Sequence, residues 1–156
     1  MIWRRRIGKW RITFTIVRVA DIVGVHSLLE DGNHILMWDF DDKTAEQVFG
    51  TLLAVQTIYD LPNIYLLNTG TPDHYIAYCF QRNSWQRCKE IIAFTPHVDP
   101  NFFKFGVYRD KFTLRVSPKY NRKPKLVHIL KSPVREDCSV DELKRWVQYE
   151  TMKKAA

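Results

Sequence analysis

The chain is poor in cysteine. Cys79, Cys88 and Cys138 are the only three, and no two stand at Cys-x-x-Cys spacing. That excludes the common ligand pattern of a small zinc module, and the odd count argues against a disulfide framework. A reducing, cytoplasmic interior is the expected compartment. No apolar run approaches the ~20 residues that a membrane-crossing helix needs, so no membrane partner is expected. Residues Met1-Ile2-Trp3-Arg4-Arg5-Arg6 are basic but lack the apolar stretch and cleavage site of a secretory signal. Internal repeats, low-complexity runs and linkers are also missing. The expectation is a single domain over residues 1–156, with a basic N-terminal segment at 1–11 and a C-terminal helix from about 139.

What is present fits a globular protein: 46% hydrophobic and 13% aromatic residues leave enough apolar surface to bury a core. The formal charge is +7, which suits a polyanionic partner, nucleic acid first. Arg4, Arg5, Arg6, Lys9 and Arg11 alternate with Trp3 and Trp10. Such a segment can neutralise phosphate and stack on bases, or it can be an edge strand kept soluble by its charges.

Alternation and β-branching predict strands over 11–19 and 23–29, with a turn at Asp31-Gly32 closing a hairpin onto His34–Phe40. Helical spacing then runs from Lys43 to Tyr59, with Asp42 as the expected cap. Strands at 63–68 and 74–80 follow, then a helix opening at Asn83 or Ser84. Residues 100–106 read as loop, 111–116 and 126–130 as strands. Ser139-Val140-Asp141-Glu142 reads as a capping box opening the last helix. Strands and helices in this order predict an α+β domain, an antiparallel sheet with helices on one face.

On the strand His34–Phe40 and its end, Asp39 and Asp41 lie two residues apart and so point to one side. Adjacent carboxylates repel unless a cation lies between them, and a hard divalent ion is held by one or two carboxylates with phosphates completing its shell. The turn Thr69-Gly70-Thr71-Pro72-Asp73-His74 offers a hydroxyl, backbone amides and an imidazole, a candidate phosphate cradle. Asp99, before Pro100, is a candidate third carboxylate at a strand end. Arg115 and Lys119 are cations suited to a triphosphate or a template backbone.

Taken together, Trp38-Asp39-Phe40-Asp41, the turn ending in His74, Val98-Asp99 and the later Arg115 and Lys119 resemble the archaeo-eukaryotic primase superfamily, the primase-polymerases. That family carries a hydrophobic-Asp-hydrophobic-Asp/Glu strand, a Ser-x-His turn and a later hydrophobic-Asp. His74 lies 33 residues after Asp41, and Asp99 lies 25 after His74. These short spacings resemble the compact members carried by plasmids and viruses. Here Thr69 stands for the family's serine, and Pro72 occupies a place where a small flexible residue is common.

The resemblance implies an RRM-like core and an activity as DNA primase or DNA polymerase. That is template-directed nucleotidyl transfer from an NTP or dNTP to a 3′-hydroxyl. It implies that Asp39, Asp41 and Asp99 hold two divalent metals, Mg²⁺ or Mn²⁺. Thr69, the Gly70 backbone and His74 would contact the triphosphate, with Arg115 and Lys119 offsetting charge there or on the template. Single-stranded or primer–template DNA would be the macromolecular partner. No helicase is present in the chain, so a separate helicase or replication protein would be a second. The alternative is a non-catalytic RRM-like protein that binds single-stranded nucleic acid, which predicts aromatic pairs on the central strands and gives no reason for three acids. Haloacid-dehalogenase-type phosphatases need a small residue or threonine where Lys43 stands. Rolling-circle endonucleases need two histidines flanking one residue, and His26, His34, His74, His97 and His128 supply no such pair.

Overall fold

The computed structural model describes residues 2–15, 19–118 and 122–151. The fold is α+β, with three antiparallel sheets and three α-helices among the described residues. The largest sheet has four strands in the order β4 (His34–Phe40), β6 (Tyr75–Asn83), β5 (Ile64–Asn68) and β8 (Lys125–Leu130). Strands β4 and β5 are joined through helix α1 (Ala45–Tyr59), with β6 inserted between them. The last strand, β8, lies beside β5 and not beside β4, so the strand order is not the one in which the final strand returns next to the first.

Strand β4 carries the core. Ile35, Leu36, Met37, Trp38 and Phe40 are all fully buried, so both of its faces are covered. Register puts Trp38, Ala77, Leu66 and His128 on one face. There Phe49 of α1 meets His128 edge-on, and Trp38 Nε1 donates to Thr95 Oγ1 at the end of α2 (Trp85–Phe94). The opposite face carries Met37, Tyr78 and Tyr65. It is partly covered, Tyr78 being buried and Tyr65 half-buried. A second sheet, in the order β7 (Thr113–Arg115), β3 (Val19–His26) and β9 (Arg145–Thr151), closes over it. Val23 and Val25 of that sheet line, with Tyr65, Leu67, Tyr78 and Phe80, a mostly apolar cavity of about 720 Å³. The helices α1 and α2 share one face as the sequence predicts. Helix α3 (Pro100–Tyr108) sits by the free edge of β4.

Several expectations are corrected. The C-terminal helix expected from about 139 is absent: the Ser139/Glu142 box closes only a 3₁₀ turn at Val140–Glu142, and the chain continues as β9. Residues 145–151 are rich in β-branched and aromatic side chains, and the open edge of β3 offers them a full ladder, from Val25↔Arg145 to Val19↔Thr151. Arg82 of β6 fastens the turn by pairing with Glu142, and at 3.0 Å it also pairs with Asp31 of the β3–β4 connection. The hairpin expected between β3 and β4 also does not form. The chain turns at Asp31–Asn33, but only the bridge Leu28↔His34 joins the two strands, because β7 and β9 occupy both edges of β3.

Residues 100–106 are helix, not loop. Asp99 caps it, Pro100 takes the first turn where its missing N–H costs nothing, and Gly106 is retained because Phe112 packs against it. The cap of α1 is Thr44 and not Asp42: Thr44 and Gln47 bond reciprocally, the Ser/Thr-x-x-Gln spacing that satisfies two orphan amides. Of the two positions expected to open α2, Ser84 is the cap. Finally, the basic N-terminal segment is one half of a separate hairpin, β1 (Ile2–Ile7) with β2 (Trp10–Thr15).

Candidate functional site

The C-terminal end of β4 brings together residues from three separate segments. Asp39 is the penultimate residue of the strand, and Asp41 follows just beyond its end. The turn between β5 and β6 delivers His74, whose Nδ1 lies 2.5 Å from Asp41 Oδ1. Its Nε2 is 3.7 Å from Asp42 Oδ1. Lys43 N–H donates to the carbonyl of Asp73, which fastens that turn against the chain leaving β4. On the other side, Asp99 N–H donates to the carbonyl of Asp39 at 2.8 Å. The free edge of β4 is thus occupied at both ends, since Ile35 N–H donates to the carbonyl of Ser27.

The electrostatics follow from that assembly. Burial pushes the Asp39 carboxyl up to about 7, and the charges of Asp41 and Asp99 add to the shift while His74 opposes it. A carboxyl in this position is held between its neutral and charged forms near neutral pH. A cation among the three acids would favour the charged form. The side chain of Asp99 is partly committed, its Oδ2 accepting from Phe102 N–H as the cap of α3. Asp41 spends one oxygen on His74. Each therefore keeps one oxygen that no neighbour claims in these bonds. Among the described residues no three His, Cys, Asp or Glu side chains converge closely enough to enclose an ion alone. A magnesium-like ion does not need them to, since it takes one or two carboxylates and retains water or phosphate oxygens.

Asp39 and Asp99 line a hollow of about 250 Å³ together with Asn101, Arg109, Lys111 and Thr113. Arg109 and Lys111 are the cations lining that hollow, and no local motif in the sequence marks either. Both follow α3, and without recognising that helix there was no signal to place them. Arg115 stands opposite Gly24 on β7, two residues along the same strand face from Thr113, and its Nη1 donates to the carbonyl of Ser117. Lys119 lies outside the described residues.

The turn at 69–74 differs from a free phosphate cradle. Gly70 N–H donates to Asn68 Oδ1 at 2.8 Å, and Thr69 N–H donates to the carbonyl of His74. The amides expected to face phosphate are satisfied within the turn. Gly70 is required there for a different reason: its φ is +86°, and a Cβ would lie 2.9 Å from Cβ of Arg122. That close approach lets Arg122 Nη1 donate to Thr71 Oγ1 at 3.2 Å. Arg122 is thereby the cation at this turn. It belongs to the basic run 122–125, where no local pattern names its neighbour.

No family model, curated protein or solved structure matches the chain.

Proposed function

We propose that the chain is a template-directed nucleotidyltransferase of the primase-polymerase kind, acting as DNA primase, DNA polymerase or both on single-stranded or primer–template DNA. The observation that carries this reading is the meeting of Asp39, Asp41, Asp99 and His74 at one end of β4, from positions up to 60 residues apart in the chain. The charges of Asp41 and Asp99 both disfavour ionisation of Asp39, and a divalent ion with phosphates is one way such acids reach charge balance.

In this reading Asp39 and Asp41 hold the divalent ions, Mg²⁺ or Mn²⁺, with Asp99 supporting them. Bound there, such ions activate an attacking hydroxyl and stabilise a leaving pyrophosphate. His74 orients the Asp41 carboxylate through Nδ1. Arg109 and Lys111 stand where they offset developing phosphate charge next to Asp39 and Asp99, and Arg122 does so at the 69–74 turn. The RRM-like comparison is limited to the unit β4–α1–β5–β6–α2, since β8 takes the other edge.

The non-catalytic strand-binding alternative would stack bases on the aromatic side chains of the central strands. Tyr78 and Phe80 are 6% and 7% exposed beneath the second sheet, so neither presents an open stacking face, and the half-buried Tyr65 is the aromatic of the central strands that solvent reaches on this side. The test is incorporation of labelled nucleotide by the purified chain on a primed and an unprimed single strand, with Mg²⁺ or Mn²⁺. Metal-dependent product on either supports the reading. No product on both, with NTPs and with dNTPs, refutes it.

A further inference from the structure

The β1–β2 hairpin takes no part in the site above. It forms a sheet of its own, and every residue from Trp3 to Phe14 is exposed. An isolated two-stranded hairpin is at best marginally stable in water, so a function in contact with something else is the natural reason for it. Its register sorts the side chains. Trp3↔Phe14, Arg5↔Ile12 and Ile7↔Trp10 share one face, while Arg4↔Thr13 and Arg6↔Arg11 share the other. Between residues 2 and 15 there are five Lys or Arg residues and no acid.

We propose that this hairpin is a grip for single-stranded nucleic acid. Bases stack on Trp10 at the turn end and on the Trp3/Phe14 pair at the other, and Arg5 meets the backbone between them. Positions 3 and 7 are about 14 Å apart on an extended strand. That separation lies within the footprint of about 4 or more nucleotides covered by stacking platforms of this type. The ribbon is only about 5 Å between strand axes, so Arg4, Arg6 and Arg11 add positive potential at its edges.

Arg5 discriminates between occupants. An anionic bilayer would have to take a guanidinium into the middle of the inserted apolar face. Two copies stacked by this face would oppose two Arg5 side chains. A nucleic-acid strand instead requires a cation between its stacking positions. Strand binding here does not depend on nucleotidyl transfer.

The experiment titrates the full chain with an oligodeoxythymidine of about 16 nucleotides. Tryptophan quenching and anisotropy of a labelled oligonucleotide are read in EDTA without nucleotide. The expected result is salt-sensitive binding, weakened about tenfold or more in Trp3→Ala/Trp10→Ala and also weakened in Arg5→Glu. These side chains are exposed, so the melting temperature of both variants should match wild type. EDTA leaves no divalent ion for nucleotidyl transfer, so binding under these conditions separates this inference from the catalytic reading. Undiminished binding by both hairpin variants would overturn it. So would tryptophan response to phosphatidylglycerol vesicles alone, or self-association that disappears in Arg5→Glu with no oligonucleotide binding.

Discussion

Asp99 is tied to Asp39 by backbone, its N–H donating to the Asp39 carbonyl at 2.8 Å, while its side chain caps α3. The third acid of the cluster is thus positioned twice, by the edge of β4 and by the start of a helix. Neither bond consumes the Asp39 carboxyl. The consequence is that the packing of α3 is part of the site, and disturbing that helix disturbs the acids.

Gly106 provides a direct check of this dependence. A Cβ there would lie 2.3 Å from the ring of Phe112, which is fully buried and has no room to retreat. Gly106→Ala is expected to lose about 1–3 kcal/mol in urea unfolding. Gly50 in α1 has nothing within 4 Å of its would-be Cβ, and Gly50→Ala should gain about 0.5–1 kcal/mol. Equal effects at the two positions would contradict the packing described for α3.

The Asp39 carboxyl sets a pH dependence with a definite sign. Its folded pKa of about 7 lies above its ordinary value of 3.8, so between those pH values the folded protein holds a proton that the unfolded chain has released. Stability from this group is therefore full below about 4, falls as pH rises to about 7, and is flat beyond. Allowing for the part of the carboxyl that water reaches, the loss is about 2 kcal/mol. Asp39→Asn should melt higher than wild type at pH 8, and the gap should close at pH 4. Mn²⁺ should raise the wild-type melting temperature more at pH 8 than at pH 6, and should raise that of Asp39→Asn little. A metal response independent of both pH and Asp39 would count against a cation among these acids.

The two tyrosines beneath the second sheet should behave differently. Tyr78 Oη is buried without a hydrogen-bond partner, whereas Tyr65 Oη donates to Glu136 Oε1 at 2.7 Å. Tyr78→Phe is expected to be neutral or stabilising by up to about 1 kcal/mol, and Tyr65→Phe to cost about 1 kcal/mol. Thermal or urea unfolding of the two variants reads the contrast directly.

The parts of this fold that sequence reveals are the local ones. α1, β5, β6 and α2 lie close to their expected bounds because periodicity and capping residues act within a few positions. The pairing of β3 with β9, from Val19↔Thr151 to Val25↔Arg145, joins segments whose attraction no local pattern reports. For the same reason Ser139-Val140-Asp141-Glu142 misled. The capping box is real, but an available strand edge outcompeted helix propagation after a single turn. Period-two alternation and spacing made Asp39, Asp41, His74 and Asp99 legible as candidates. Arg109, Lys111 and Arg122 were not, since their neighbours are supplied by α3 and by the chain crossing Gly70.

Asp39, Asp41 and Asp42 lie within four residues, and comparing them tests whether the acids at the end of β4 hold an ion for nucleotidyl transfer. Asp42 has a φ of +56°, is exposed and does not cap α1, and we assign it no part in holding an ion. Primer extension with Mn²⁺ is measured for wild type and for Asp39→Asn, Asp41→Asn and Asp42→Asn. The prediction is extension by wild type and Asp42→Asn, and background incorporation by the other two. Extension that survives in Asp39→Asn and Asp41→Asn, or no extension by wild type, would contradict it.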